Sequence, residues 1–289
     1  MTRIPRILIT PGDPAGIGPE VIHKALADSR LPTNCRFETI PYDPSKISLG
    51  EPSRASAQIA LDALEYAAQQ LRDGLADAVV TGPVAKEQLQ AIGFAFPGQT
   101  EFFTDRLGAT STAMCLTGKH LTVALVTIHI PLAEVAGSLT VAEIVRTGKL
   151  LADYLISRGI AAPRIAVCGL NPHAGENGAY GREEIELISP AIAELNRDSL
   201  VKYSGPHVPD AIFRDAADQK YDAVLCMYHD QGLIPLKLLD FDNAVNITLG
   251  LPRPRLSPDH GTAFSLAGKN LANPSSMLRA LQLAAEIVS

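Results

Sequence analysis

Apolar stretches of two kinds alternate along the chain. Short runs rich in β-branched residues predict buried strands, and longer runs with an apolar residue at every third or fourth position predict helices. The predicted strands are residues 7–10, 37–42, 78–80, 113–116, 121–129, 164–170, 223–228 and 245–249. The predicted helices are residues 18–28, 53–71, 141–157, 183–195 and 277–288, and the strand at 78–80 leads through residues 81–83 into another helix. This alternation predicts an α/β fold with mostly parallel sheets and helices on both faces, and the strands on either side of residues 117–120 form an antiparallel hairpin.

The composition suits a protein with a substantial apolar core. Of the 289 residues, 46% are hydrophobic and 19% are charged, which is enough for one large domain or two smaller ones. The formal net charge of -6 argues against a general attraction to nucleic acid or to an anionic membrane. An anionic ligand must therefore be met by local basic residues.

The sequence predicts a cytoplasmic protein. The first residues lack the apolar stretch of a signal peptide, and no apolar run approaches the roughly 18 residues of a membrane span. The four cysteines are widely spaced and contain no CxxC pair, so we expect reduced thiols.

Three histidines carry the strongest chemical signal. His129, His173 and His229 each follow an apolar run and stand among residues typical of turns. Neighbouring strand ends of an open α/β sheet border one crevice, so three imidazoles delivered there would form a divalent-metal site with open positions. Taken singly, each histidine is more often an ordinary polar residue at a strand end. Glu176 and Asp230 are close enough in sequence to orient the imidazoles, and the neutral ligands suit zinc, cobalt, manganese or magnesium.

Basic and amide side chains late in the chain are candidates for an anion site. Lys237 follows the third histidine, and Arg253 and Arg255 follow the strand predicted at 245–249. A phosphate or carboxylate needs such donors, and arginine offers two parallel N–H groups. Solvated loop charge is the alternative interpretation. Asn246 lies inside the predicted strand, where a buried amide needs hydrogen-bond partners.

A segment rich in glycine and proline, residues 10–20, links the first predicted strand to the first predicted helix. Its glycines permit a close backbone approach to a ligand, and a helix N-terminus favours negative charge. A tight structural turn explains the same residues equally well. The segment matches neither the dinucleotide-binding fingerprint nor the P-loop.

Residues 260–274, HGTAFSLAGKNLANP, resemble the adenine-binding loop of the isopropylmalate and isocitrate dehydrogenase group. Further segments, in order along nearly the whole chain, are similar to the 4-hydroxythreonine-4-phosphate dehydrogenase family of vitamin B6 biosynthesis, which is related to that group. They are TPGDPAGIGPE (10–20), VTGPVAKE (80–87), PGQTEFF (97–103), His129 before Pro-Leu, CGLNPHAGE (168–176), MYHDQG (227–232), VNITLGLP (245–252) and DHGTA (259–263).

The resemblance implies an oxidative decarboxylase. Such an enzyme oxidises the secondary alcohol of 4-phosphooxy-L-threonine with NAD or NADP, and the resulting β-keto acid loses CO₂ to give 3-amino-2-oxopropyl phosphate. It also implies one divalent metal ion per subunit, bound by His129, His173 and His229. The implied substrate-binding residues are Gln99, Thr100, Lys237, Asn246 and Arg255. Family members commonly carry histidine where this chain has Gln99, which cannot bear a proton or a charge.

The resemblance further implies how the cofactor is bound and how the chain is organised. The implied cofactor-binding residues are His260, Gly261, Thr262, Ala263 and Asn273. Lys86 is a candidate for accepting the alcohol proton, and Asp230 is a candidate for orienting a metal ligand. We expect two α/β/α domains with a crevice between them, as in isopropylmalate dehydrogenase: residues 1–105 plus 250–289 for the nicotinamide cofactor, and 106–249 for metal, substrate and dimerisation. A homodimer with shared active sites is implied, with contacts sought in residues 121–135.

Three alternatives remain open from the residues alone. A paralogous dehydrogenase would act on another phosphorylated hydroxy acid, such as a threonate or erythronate phosphate, or on a dihydrodiol. A histidine-metal hydrolase would need no nicotinamide, and residues 260–274 argue against it. A metabolite-binding protein without catalysis would not need three histidines together with basic residues.

Overall fold

The computed structural model describes residues 3–197 and 200–289. Contacts within the chain divide it into two compact units. Unit 1 consists of Met1–Thr110 and Val245–Ser289, and unit 2 consists of Ser111–Ala244.

Secondary-structure elements are numbered in chain order within the described residues. The strands are β1 (Arg6–Thr10), β2 (Arg36–Thr39), β3 (Ala78–Thr81), β4 (Ala113–Thr117), β5 (Thr122–Leu125), β6 (Arg164–Cys168), β7 (Lys202–His207), β8 (Ala223–Cys226), β9 (Val245–Leu249) and β10 (Arg255–Pro258). The α-helices are α1 (Gly18–Leu26), α2 (Arg54–Arg72), α3 (Lys86–Gln90), α4 (Gln99–Arg106), α5 (Leu132–Ser138), α6 (Val141–Ser157), α7 (Ser189–Leu195), α8 (Ile212–Ala217), α9 (His229–Asp240) and α10 (Ser275–Val288). A π-helical turn, Glu184–Ile188, leads directly into α7.

The sheet of unit 1 is mostly parallel. Strand β1 pairs in parallel with β2 and β3, and β10 pairs in parallel with β3. Among the described strands of this unit, only β9 and β10 pair in antiparallel fashion. The core beneath this sheet includes Leu64, Val79, Phe102 and Phe103, none of which is exposed to solvent. Strands β1 and β3 are apolar at successive positions and almost fully buried, because both faces of the sheet are covered there.

Helix α2 shows why the long periodic segments were predictable. Its start is fixed by a capping box, since Ser53 Oγ accepts a hydrogen bond from Ser56 N and Ser56 Oγ accepts one from Ser53 N. Its apolar residues recur on one side, and Leu64 and Leu71 are buried in unit 1. Burial of this face, rather than intrinsic propensity alone, stabilises the helix.

The sheet of unit 2 has the order β4-β5-β8-β6-β7. Strands β4 and β5 form the predicted antiparallel hairpin, and β5, β8, β6 and β7 pair in parallel. Val123, Leu125, Ala166 and Val224 lie in its core. The α/β class with mostly parallel strands is confirmed in each unit.

Several elements differ from the sequence prediction. Strand β5 ends at Leu125 rather than at residue 129, because the chain leaves the sheet before His129. His229, predicted in a turn, is the first residue of α9. That helix was missed because Gly232 and Pro235 lie inside it. The other unpredicted elements are α4, α5, α8, β7 and β10. Within the described residues, no helix is both long enough and apolar enough to cross a bilayer.

Candidate functional site

The three predicted metal ligands follow three neighbouring strands of unit 2. Strands β5 and β6 both pair in parallel with β8, so their carboxyl ends lie side by side. His129 comes four residues after the end of β5, His173 five residues after β6, and His229 three residues after β8. The topology therefore directs all three toward one edge of this sheet.

His129 and His229 lie close together. Their ring centroids are 5.7 Å apart, with an angle of 44° between the rings. Thr127 connects the two segments, because its backbone N and its Oγ1 both donate to Met227 O, at 3.1 Å and 2.8 Å. The chain just before His129 is thus attached to the chain just before His229.

Asp230 contacts the imidazole of its neighbour. Asp230 Oδ1 lies 2.7 Å from His229 Nδ1. A carboxylate in this position favours the proton on Nδ1 and leaves Nε2 as the lone-pair nitrogen. Glu176, the other predicted orienting residue, is exposed and belongs to the loop that carries His173.

The loop that carries His173 has an unusual backbone. Five consecutive residues from His173 to Asn177 have positive φ, with values of 53°, 51°, 74°, 39° and 55°. The left-handed region costs roughly 1–2 kcal/mol for each residue other than glycine. Such strain persists only where surrounding contacts hold the backbone, and it is found often at functional sites. The ring of His173 lies 5.9 Å from that of Tyr180.

Imidazole nitrogens suit a divalent ion, but the described residues do not bring all three histidines into one cluster. In residues 3–197 and 200–289, no three His, Cys, Asp or Glu side chains form a cluster able to hold a metal. Two imidazoles bound to one ion, each nitrogen about 2.1 Å from it, have ring centroids roughly 5–6 Å apart. The 5.7 Å spacing of His129 and His229 suits a shared ion. His173 does not join them in a three-ligand group.

Arg255 is the centre of a polar cluster in unit 1. It is the first residue of β10, not part of a loop, and is only 3% exposed. Its Nη2 donates to Thr81 Oγ1 at 2.7 Å and to Gln99 Oε1 at 3.0 Å. Burial lowers the pKa of the guanidinium to about 10, and the charge of Glu101 opposes this effect. Its Nε is also buried and has no partner among the described residues, so the group can still donate to an anion.

The neighbouring residues extend this cluster. Across the β9–β10 pair, Thr248 is opposite Arg255 and Asn246 is opposite Ser257, so the four side chains share one sheet face. Thr100 Oγ1 lies 3.4 Å from Thr248 Oγ1. The buried Oδ1 of Asn246 has no hydrogen-bond partner within the described chain.

Two of the predicted substrate residues open a helix. Gln99 and Thr100 are the first residues of α4, whose N-cap, Gly98, provides no side-chain hydrogen bond. Free backbone N–H groups at a helix start favour an anion. The structure thus brings four of the five predicted substrate-binding residues together in unit 1.

The two candidate lysines lie elsewhere. Lys237 is in the last turn of α9, about 12 Å along the helix axis from His229. Lys86 is exposed at the first position of α3. A Cβ atom built on Gly98 would lie 3.8 Å from Lys86 Nζ, so this ammonium group is beside the start of α4.

The residues predicted for the cofactor form the loop after β10 in unit 1. His260 Nδ1 lies 3.0 Å from Gly261 O, and His260 Nε2 is buried with no partner in the part of the chain that is described. Gly261 faces open space, and Ala263 has φ of 39°. Thr262 O accepts a hydrogen bond of 2.9 Å from Ile17 N, which attaches this loop to the first turn of the chain.

Asn273, which the sequence predicts to bind the cofactor, makes a structural contact at the start of a helix. Its Oδ1 accepts a hydrogen bond of 3.0 Å from Ser275 N at the start of α10. The preceding backbone is also fixed, since Ala272 N donates to Glu20 Oε1 at 2.9 Å.

The glycines of residues 10–20 make close backbone contacts. A Cβ atom on Gly12, which has φ of 71°, would lie 2.2 Å from Pro83 O. A Cβ atom on Gly16 would lie 2.5 Å from Thr262 O. Of the two interpretations that the sequence leaves open, the structure supports the tight structural turn.

Four residues that contribute to these arrangements were not identified from the sequence. Thr81 accepts a hydrogen bond from Arg255, and Thr127 donates one to the backbone before His229. Nothing in the sequence pattern distinguishes these two from ordinary threonines at strand ends. Gln231 and Glu184 hold the loop that carries His173, through bonds described below. No sequence pattern points to either residue, because a hydrogen bond to a distant backbone group leaves no periodic signal.

Comparisons with known proteins agree on one family. The model of the pyridoxal phosphate biosynthetic protein PdxA family matches residues 19–284. The 4-hydroxythreonine-4-phosphate dehydrogenase of Desulforapulum autotrophicum is 40% identical, over 97% of this chain and 95% of its own.

Solved structures show the same relationship. The 4-hydroxythreonine-4-phosphate dehydrogenase of Klebsiella pneumoniae is 35% identical, with a TM-score of 0.88 over 98% of both chains. A terephthalate 1,2-cis-dihydrodiol dehydrogenase from Burkholderia xenovorans is 27% identical, with a TM-score of 0.71 over 98% of both chains. A β-decarboxylating dehydrogenase of Thermococcus kodakarensis is 18% identical, covers 97% of this chain and 81% of its own, and has a TM-score of 0.51, a similarity of fold alone.

Proposed function

Because the chain belongs to the pyridoxal phosphate biosynthetic protein PdxA family, we propose that it is an NAD(P)-linked, metal-dependent 4-hydroxythreonine-4-phosphate dehydrogenase. The substrate alcohol gives a hydride to the nicotinamide and a proton to a base. The resulting β-keto acid loses CO₂ and leaves 3-amino-2-oxopropyl phosphate for pyridoxal phosphate synthesis. The family resemblance that the motifs predicted is confirmed by the family model and by the curated relatives.

The observation that carries the proposal is the buried guanidinium of Arg255. It holds a positive charge with an unpartnered Nε, beside Gln99, Thr100 and the orphan Oδ1 of Asn246. A substrate that bears a phosphate, a carboxylate, an amine and a hydroxyl group supplies both an anion for Arg255 and a donor for Asn246. Binding energy from such a remote anion positions the reacting carbon.

His129, His173 and His229 are the residues that would hold the metal ion. When bound, a divalent ion supplies Lewis acidity toward the substrate oxygen. Asp230 keeps the proton on His229 Nδ1, and Lys86 Nζ is our candidate to accept the alcohol proton. Zinc, magnesium, cobalt and manganese all suit neutral imidazole ligands combined with a substrate oxygen.

Residues 260–263 and Asn273 are assigned to NAD or NADP. The loop they form lies against the first turn of unit 1 and leaves Gly261 open to solvent. In the proposed organisation, residues 1–105 plus 250–289 bind the cofactor, and residues 106–249 provide the metal ligands and the dimer contact. The four cysteines are buried and free, as expected for a cytoplasmic enzyme.

We further propose a homodimer whose active sites contain residues of both subunits. Residues 121–135 are a poor contact surface, because most of their apolar side chains are buried within unit 2. Helix α9 is a better one, since Ile234, Leu238 and the adjoining Phe241 are 67%, 83% and 70% exposed. Lys237 lies between Ile234 and Leu238 in sequence, so dimerisation over this face would bring it to the neighbouring subunit.

A second candidate function follows from two observations. The chain is 27% identical to a dihydrodiol dehydrogenase, and Gln99 replaces the histidine common in the family. A neutral amide beside Arg255 is compatible with a carboxylate ligand as well as with a phosphate. The alternative is therefore a dehydrogenase for a carboxylated dihydrodiol, or for a threonate or erythronate phosphate.

A substrate panel tests the proposal. The purified protein is treated with chelator, reloaded with each of the four divalent ions, and assayed for NADH or NADPH formation. We expect turnover of 4-phosphooxy-L-threonine with release of CO₂, only after metal is restored. Turnover of a dihydrodiol or of a threonate phosphate instead would favour the second candidate. Full activity of the His173→Ala variant after chelation would exclude the metal site.

A further inference from the structure

Glu184 lies buried beneath the loop that carries His173. It is 3% exposed. Its Oε1 accepts hydrogen bonds from Leu170 N at 2.8 Å and Asn171 N at 2.7 Å, and its Oε2 accepts one from Asn171 Nδ2 at 3.0 Å. Hydrogen bonds to an ionised acceptor are stronger than neutral ones. The carboxylate therefore fixes the backbone immediately before Pro172 and His173.

The loop surrounds this carboxylate closely. A Cβ atom on Gly175 would lie 2.5 Å from Glu184 Oε2, and one on Gly169 would lie 3.2 Å from Glu184 Oε1. The chain thus passes around Glu184 from residue 169 to residue 175. The left-handed backbone of His173 and Ala174 lies within that span.

A second attachment joins the same loop to the segment that carries His229. Gln231 Nε2 donates to Gly169 O at 2.7 Å, and Gln231 Oε1 accepts from Met227 N at 2.7 Å. The loop is consequently held at Gly169 by Gln231 and at Leu170 and Asn171 by Glu184. These two side chains therefore attach the loop both to the π-helical turn and to the segment after β8.

We propose that Glu184 is a positioning residue for His173. It acts through Leu170 and Asn171, and it holds the left-handed turn that presents the imidazole to a metal ion. This inference rests on the metal site in the proposed function. Glutamine at this position would keep the volume but lose the charge, and its amide N–H would face the Asn171 Nδ2 donor. We expect the Glu184→Gln variant to bind a divalent ion roughly 10- to 100-fold more weakly, the range typical of residues that orient metal ligands.

Cobalt titration of the intact protein tests this inference. Dissociation constants for Co²⁺ are measured by calorimetry for the wild type, Glu184→Gln, His173→Ala and the double variant. If Glu184 acts through His173, its replacement weakens binding in the wild type but adds no further loss once His173 is absent. A purely structural role of Glu184 would weaken binding to the same degree in both backgrounds.

The matched control is Glu186→Gln. Glu186 lies on the same π-helical turn, is 56% exposed and pairs with Arg182, so its replacement should leave cobalt affinity unchanged. If circular dichroism shows that Glu184→Gln does not fold, the Asn171→Ala variant replaces it. This change removes one of the three hydrogen bonds to Glu184 and should cause a smaller loss of cobalt affinity, with the same dependence on His173.

The outcomes separate the two proposals. Cobalt binding by the wild type that does not depend on His173 overturns the proposed metal site, and with it this inference. Two outcomes would overturn the role of Glu184 alone. In the first, cobalt binding depends on His173 but is unaffected by the Glu184→Gln or Asn171→Ala change. In the second, the losses of affinity add in the double variant.

Discussion

The amide oxygen of Gln99 accepts a hydrogen bond of 3.0 Å from Nη2 of Arg255, a residue distant in sequence. Thr81 Oγ1 accepts from the same nitrogen at 2.7 Å, and Gln99 Nε2 donates to Gly82 O at 3.3 Å. One end of the guanidinium is therefore held by neutral acceptors. Its charge stays uncompensated by these partners and is available to an anionic ligand.

Replacement of Arg255 by alanine should weaken substrate binding far more than it slows turnover. In the proposed site this residue binds an anion remote from the reacting carbon. We therefore expect KM to rise roughly 100-fold, the upper range for a charged hydrogen bond, with kcat reduced only slightly. Steady-state kinetics of NADH formation measure both quantities. Arg253→Ala is the matched control, because this nearby arginine is 43% exposed and its Nη1 lies 3.9 Å from Asp77 Oδ1, outside the polar cluster around Arg255. An unchanged KM for Arg255→Ala would remove this residue from the anion site.

Gln99→Met should also raise KM, by roughly 10-fold, because methionine has a similar shape but cannot accept from Arg255. The loss of two hydrogen bonds leaves Arg255 Nη2 and Gly82 O less well satisfied, so a destabilisation of about 1–3 kcal/mol is expected as well. Kinetics and urea unfolding measure the two effects separately. A KM equal to that of the wild type, at any stability, would show that Gln99 does not position the guanidinium.

The long elements could be predicted from the sequence because their apolar residues keep one period. Helix α6 has the predicted bounds, Val141–Ser157, and Thr140 Oγ1 caps it by accepting from Glu143 N. Helix α9 could not be predicted, since Gly232 and Pro235 interrupt it. Its stability comes from the burial of Leu233 and Leu236, which depends on the sheet of unit 2.

The positions of the site residues were partly predictable. Histidines after apolar runs lie at strand ends, and the topology explains why these ends are neighbours. The support of these residues was not predictable, because Glu184 and Gln231 act through hydrogen bonds that follow no sequence period. Arg255 was also hard to assign, since a charged residue between prolines suggests a loop, whereas it begins a buried strand.

The native protein should not react with thiol reagents. Burial raises the pKa of all four cysteines, that of Cys168 to about 12, so thiolate is scarce near neutral pH. We expect almost no modification by Ellman's reagent in buffer and four modified thiols per chain in guanidinium chloride. Rapid reaction of one thiol in the folded protein would show that this cysteine is not buried.

Leu238→Glu should separate the proposed homodimer. Leu238 is 83% exposed on α9, and a charge buried in an apolar contact costs several kcal/mol unless it is paired. Light scattering coupled to size exclusion should show a dimer for the wild type and a monomer for the variant, together with a loss of turnover. Leu271→Glu is the control, because Leu271 is 71% exposed in unit 1. A dimeric Leu238→Glu protein would place the interface elsewhere.

Stability should fall as the pH drops below about 6.5, the ordinary pKa of histidine, and His207 should contribute to this fall. Burial lowers the pKa of His207, while the charge of Asp215 opposes the shift. The ring lies 5.3 Å from that of Tyr221, and its Nε2 is 2.8 Å from Ser204 Oγ. Below a pH of about 6.5 the unfolded chain takes up a proton at this position that the folded protein does not, so the free energy of unfolding decreases. The contribution levels off once the pH passes the lowered pKa.

The His207→Gln variant isolates this effect, because glutamine can still bond to Ser204 but does not titrate. Urea unfolding of both proteins between about pH 5 and pH 8 gives the free energy of unfolding at each pH. We expect the variant to lose less stability than the wild type on acidification, so that the two curves converge or cross at low pH. Parallel curves over the whole range would mean that His207 takes up its proton equally in the folded and unfolded states.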